Sequence, residues 1–332
     1  MPTPNAPTIW HVPYQRNPFF SGVAKRETLM YTSFDHTAKV KKERFAMPDD
    51  SSHNEKTYVL DAENAAEMAR LIQQDLLITR YMGGLLPERP DFANISRVLD
   101  VGCGPGGWVH EVAAAHPSLE AVGIDISTIM IQYARVQAGV RGLDNARFEV
   151  MDATKPLQFP VNSFDLINAR LIFAFMPLDG WPRLVQECLR LLRSGGFLRL
   201  TECEWCITNG EAFERLNGMG TRALKLAGRS FSPDGRQLGM SPMLGRFLLD
   251  AGFQRITIKG HAIDFSARME AHDAYYQDYR VLFKLLQPFL VNMKVTTQEE
   301  VAWLYEQMLE EMRSDGFRGV AFLLTATGEK PR

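Results

Sequence analysis

The apolar positions of this chain change period repeatedly, and each change marks an element. Short apolar runs at residues 98–101, 121–124, 146–150, 164–168 and 197–201 have the length of buried strands. Between them, residues 107–115, 127–139 and 181–192 repeat their apolar side chains at helical spacing, with Ser127 placed to cap the second of these helices. Ahead of the first strand, Met68, Leu71, Ile72, Asp75, Leu76 and Thr79 form one stripe of a helix from 62 to about 83. Asp61 is its expected cap, and Gly83-Gly84 its stop. Beyond 201 the pattern predicts a helix over 210–227, a Gly/Ser/Pro turn region, and a helix opened by Ser241-Pro242 that runs to 251. A strand over 253–259, helix over 267–315 and a last strand over 319–327 follow. Strands alternating with helices imply an α/β fold on a parallel sheet with right-handed crossovers.

The junction at 97–107 carries the chemistry. Val98, Leu99 and Val101 lead straight into Gly102, Gly104 and Gly106-Gly107, and a helix starts at once. Glycine suits a turn that needs unusual backbone angles and a ligand lying close to the main chain. The helix N-terminus beyond it offers unpaired N–H groups. Gly102, Gly104 and Gly107 also fit the dinucleotide fingerprint G-x-G-x-x-G, so the glycines leave two ligands open. Three aspartates narrow the choice: Asp100 in the first strand, Asp125 ending the second, and Asp152 after the third. Ligands of such sheets lie beyond the carboxyl ends of the strands, where the glycine turn, Asp125, Asp152 and residues 168–170 all fall.

In order and spacing these residues resemble the class I S-adenosylmethionine methyltransferase family. Val98 to Gly106 matches its V-L-D-x-G-x-G-x-G motif, Asp125 its ribose acid and Asp152 its adenine-side acid. Ser163 to Ile167 and Leu191 to Leu198 match its fourth-strand and post-helix patterns. The resemblance implies a Rossmann-like, doubly wound, seven-stranded sheet with strand seven antiparallel. A helical N-terminal cap and helical insertions after strand five and between strands six and seven complete the expected fold. The resulting division is 1–60 as arm and start of cap, 61–94 as cap helices, 95–202 as cofactor-binding core and 203–330 as substrate side.

The same resemblance implies S-adenosyl-L-methionine as cofactor. Gly102 and Gly104 would lie against its amino-acid end, Gly106 would belong to the cofactor-binding turn, and Asp100 would orient the loop. Asp125 would hold the ribose hydroxyls, Ile126 and Met130 would flank the adenine, and Asp152 with Ala153 would read its edge. Arg170 is expected at the methionine portion, the alternative being a surface charge. Tyr58 would reach the carboxylate, with plain packing as the alternative. A general base is needed only for an acceptor that must lose a proton; His261, His272, Glu202 and Glu204 are the candidates, each with a structural alternative.

Composition excludes some classes. The net charge of −2, with no basic run, argues against a nucleic-acid partner. No apolar run has membrane-spanning length, and the proline-rich start holds no signal-peptide core. Cys203 and Cys206 make a lone C-x-x-C with no second pair, so no metal site is expected, and cysteine use fits a reducing cytoplasm. Residues 1–22 read as an extended arm and 33–56 as a short helix and loop. The stretch after 168 lacks the D/N-P-P-Y/F of DNA amino-methyltransferases. Its apolar run, with Trp205, Met219 and the tyrosines at 275–279, suits a small, fairly hydrophobic acceptor methylated on O, N or C. The 267–318 insertion departs from the compact family pattern and reads as a lid or a homodimer interface. Non-methylating chemistry on the same fold, or a non-catalytic interaction protein, are the alternatives.

Overall fold

A computed structural model describes residue 60, residues 64–88, residue 92 and residues 94–332. The expectations for the arm at 1–22, the polar stretch 33–56, Tyr58 and Asp61 lie outside the described residues.

Strands β1 (Arg97–Val101), β2 (Glu120–Asp125), β3 (Ala146–Val150), β4 (Phe164–Arg170) and β5 (Leu192–Cys203) pair in parallel in the order β3-β2-β1-β4-β5. Antiparallel β8 (Gly319–Glu329) follows β5, and β7 (Gln254–Asp264) pairs with β8. Among the described residues the sheet has eight strands, one more than expected, because Ile207–Thr208 (β6) also pairs antiparallel to β8. A two-residue strand leaves no periodic trace in a sequence, so only its partner's register reveals it.

Side chains alternate across the sheet and build two layers. Leu99, Val101, Ile167 and Ala169 pack with helices α4 (Gly180–Leu191) and α6 (Leu244–Ala251), where Trp181 stacks on Phe247 at 5.6 Å. Val98 and Leu166 pack on the other face with α2 (Gly107–Ala115) and α3 (Thr128–Val140) through Trp108, Val109 and Ile131. Fully burying side chains of this size contributes about 1.5–3 kcal/mol each. A third apolar cluster joins α1 (Ala65–Met82), α5 (Glu211–Leu226), α7 (His272–Asn292) and α8 (Gln298–Arg313) over the β8 end of the sheet.

Several boundaries move for physical reasons. Helix α1 starts at Ala65, where Asn64 accepts from a free N–H of the first turn, that of Ala66, at 2.8 Å. The glycines at 195 and 196 do not end α4; the chain passes from Leu191 directly into β5, and they lie where the β4–β5 register is irregular. The stretch 267–315 is two helices, broken at 293–297, where Lys294 has a positive φ of 56° and Thr297 caps α8. Among the described residues no helix is long and apolar enough to cross a membrane.

Candidate active site

One cavity opens at the carboxyl ends of β1, β2 and β4, and its floor is the glycine turn. Gly102 and Gly104 have φ of 69° and 53°, conformations that side-chain-bearing residues rarely adopt. A Cβ on Gly104 would meet no atom closer than Leu71 Cδ1 at 3.9 Å, so the main chain there is open to a ligand. Asp125 fixes the turn: its Oδ2 accepts from Gly104 N at 2.9 Å and its Oδ1 from Ser127 N at 2.9 Å. One carboxylate therefore ties the end of β2 to both the turn and the start of α3. Ile126, Met130, Met151, Asp152 and Ala153 extend the lining on that side. Asp152 accepts from Thr154 N and Oγ1 at 2.9 and 2.6 Å and pairs with Lys155 at 3.1 Å. Partial burial would raise its carboxyl, but these donors outweigh it and hold Asp152 below the ordinary carboxylate range.

Asp100 ends a polar row that crosses the sheet. In register, Asp100 lies beside Asn168 and Asn168 beside Arg199. Asn168 Nδ2 donates to Asp100 Oδ1 at 2.7 Å, and Arg199 Nη1 donates to Asn168 Oδ1 at 2.9 Å. Arg199 Nε then reaches Glu88 Oε2 at 3.0 Å, and His261 Nε2 stands 3.6 Å from the other Glu88 oxygen. Burial raises the Asp100 carboxyl to about 7, with Arg170 and Asn168 opposing. Arg199 is 1% exposed, so the segment after α1 is bound to the sheet by a buried charge pair.

Helix α1 lines one side of the cavity. Arg170, at the end of β4, hydrogen-bonds Asp75 and, at 3.0 Å, the Thr79 hydroxyl, both on α1. Asp75 crowds the start of α2 so closely that a Cβ on Gly107 would collide with its carboxylate. Farther along α1, Arg70 donates from Nε and Nη2 to both Glu67 oxygens at 2.7 Å each, and from Nη1 to Asp278 Oδ1 on α7 at 2.9 Å. Burial raises the Asp278 carboxyl against the pull of Arg70. Arg70, Gln74, Asp75 and Asp278 line the cavity together with Phe173, Phe175, Trp205, Tyr275, Tyr279 and Leu286.

Of the residues singled out in the sequence, Asp100, Gly102, Gly104, Asp125, Ile126, Met130, Asp152, Ala153 and Arg170 share this cavity. Gly106 does not line it. Gly106 is the residue before α2, with φ 84°, and a Cβ there would fall 2.6 Å from the Phe148 ring, so packing and conformation explain that glycine. The histidines stand elsewhere. His261 faces Glu88 from β7, where burial lowers its pKa despite that carboxylate, and His272 Nδ1 lies 3.0 Å from the Phe265 carbonyl. Glu202 is buried, accepts from Ile172 N at 2.8 Å, and is absent from the lining. Glu204 does line the cavity, with its two oxygens taken by Gly239 N at 3.0 Å and Ser241 N at 3.1 Å. Cys203 and Cys206 are free thiols, and burial raises both. The sequence reading missed Arg70 and Asp278 as site residues. The available signal was Asp278 inside an otherwise aromatic and apolar stripe of α7.

Residues 98–196 match a family described as a methyltransferase domain. Methyltransferase str2 of Strobilurus tenacellus is 29% identical over 161 residues, 48% of this chain and 52% of that one. Methyltransferase pytC of Aspergillus terreus is 28% identical over 192 residues, 58% of this chain and 56% of its own. Aklanonic acid methyltransferase DauC of a Streptomyces species (strain C5) is 41% identical over 97 residues, 29% of this chain and 44% of its own. The chain thus spans about half the length of the curated relatives it matches.

Proposed function

We propose that this chain, whose residues 98–196 belong to the class I S-adenosylmethionine-dependent methyltransferase family, moves a methyl group to an oxygen, nitrogen or carbon of a small, largely apolar molecule. The observation that carries the reading is the shared cavity, in which Asp125 clamps Gly104 and Ser127 and faces the same space as Asp152, Asp100 and Arg170.

The residues present fit the cofactor. The open Gly104 backbone admits a close ligand, and a carboxylate at the end of β2 suits a pair of ribose hydroxyls. Acids outnumber bases along the lining, as a cationic ligand requires. When bound, S-adenosylmethionine supplies an electrophilic methyl on a sulfonium. The chain's own part is alignment: Asp125 and Asp152 fix the nucleoside end, while Arg170 and Asp75 stand where a zwitterionic amino-acid group would find both signs of charge. Holding nucleophile and methyl about 3 Å apart and in line contributes several kcal/mol by proximity alone. Helices α1 and α7 both contribute side chains to the lining. Aromatic and apolar side chains from α7 and the segment after β5 form the acceptor end.

Calorimetric titration with S-adenosylhomocysteine tests the reading: one site per chain is expected, with NAD failing to compete. Displacement by NAD, or no binding of S-adenosylhomocysteine, overturns it.

A further inference from the structure

The acceptor end has an unusual balance of charge. Helix α7 places Tyr275, Asp278, Tyr279, Leu282 and Leu286 in the cavity lining, spaced to share one helical face. Tyr275 and Tyr279 lie 5.9 Å apart and 27° from parallel, and Trp205, which stacks on Phe283 at 5.9 Å, lines the cavity with them, so this end is walled by aromatic side chains. Among the described residues, one guanidinium stands between two carboxylates there: Arg70 is held by both Glu67 oxygens and by Asp278. Its members are 8% exposed or less, which leaves solvent little room to screen them. Glu204, lining the same end, adds another acid.

We propose that Asp278 is the specificity-determining carboxylate of the acceptor end, which takes a flat, uncharged ring compound bearing a hydroxyl and rejects its acidic counterparts. This rests on the methyltransferase reading. Aromatic walls favour an aromatic ring through offset or edge-to-face contacts. A hydroxyl donates to the carboxylate; an ionised acid has no proton to donate and meets like charge beside a guanidinium, that of Arg70, already engaged by two carboxylates. Asp278 also positions α7 against α1, so its test needs a readout that loss of packing would not move.

The probes are 2-naphthol and 2-naphthoate, titrated at neutral pH into the full chain saturated with S-adenosylhomocysteine. The wild type is expected to bind 2-naphthol at least about tenfold more tightly, since a buried like charge is strongly disfavoured. Asp278→Asn keeps an acceptor oxygen for Arg70 and removes the charge. It should narrow the preference to about threefold or less, chiefly by strengthening naphthoate binding, and Asp278→Glu should restore it. General loosening would weaken both probes alike. Equal binding of the two by wild type, an unchanged preference in Asp278→Asn, or no binding of either overturns the assignment; the wild-type comparison stands even if the variants misfold. Binding of S-adenosylhomocysteine without a naphthol preference overturns this assignment alone. Failure to bind S-adenosylhomocysteine overturns the methyltransferase reading and this proposal with it.

Discussion

Replacing Asp125 with alanine should weaken nucleoside binding in a way that can be traced to the ribose. The carboxylate lies at the end of β2, lines the cavity, and accepts from Gly104 N and Ser127 N at 2.9 Å each. Two ribose hydroxyls bonded to it would make charge-assisted hydrogen bonds, together contributing about 1–3 kcal/mol net after their exchange with water. That is about 5- to 150-fold in Kd. The substitution also releases the glycine turn, so a drop in affinity alone would be ambiguous. Calorimetry with S-adenosylhomocysteine and its 2′,3′-dideoxy analogue separates the two effects. The wild type should prefer the hydroxylated ligand by the factor above, and Asp125→Ala should bind both alike. If the variant keeps the full preference, the hydroxyls are held elsewhere and the placement of the nucleoside is wrong.

Two further outcomes follow from the polar row behind the site. Arg199→Met should destabilise the fold by about 3–5 kcal/mol in urea unfolding, because it strands the buried Glu88 carboxylate, whereas adding Glu88→Gln should recover much of that loss. A single variant within about 1 kcal/mol of wild type would show that the pair contributes no more than a surface ion pair does. Asp100 should make stability depend on pH. Its carboxyl is raised from 3.8 to about 7 by burial, so between those values the folded state binds a proton that the unfolded chain lacks. Its contribution is therefore complete below the lower value and is lost as pH rises through about 7. Asp100→Asn, which still offers an oxygen to Asn168, should flatten the stability curve across this window, and parallel wild-type and variant curves would refute the shift.

The chain's local patterns determined a good deal. Strands β1 to β4, helices α2 and α3, the Ser127 cap and the glycine turn were legible because short-range rules govern them: apolar period, capping chemistry and backbone freedom. Chain order with right-handed crossovers then places Gly102, Gly104, Asp125 and Asp152 at one sheet edge. Gly106 shows the limit of a motif, since its glycine answers to the Phe148 ring rather than to the cavity. The histidines were singled out for their chemistry alone, and tertiary packing turned both away from the cavity. What only the folded molecule decided are the long-range polar contacts. Arg70 meets Asp278 across 208 positions, Arg199 meets Glu88 across 111, and Arg170 meets Asp75 across 95. No periodicity encodes such partners, because each depends on which elements the folded sheet brings together. Arg70 and Asp278 come together in the cavity lining only through such a contact, so that part of the site had to wait for the tertiary structure.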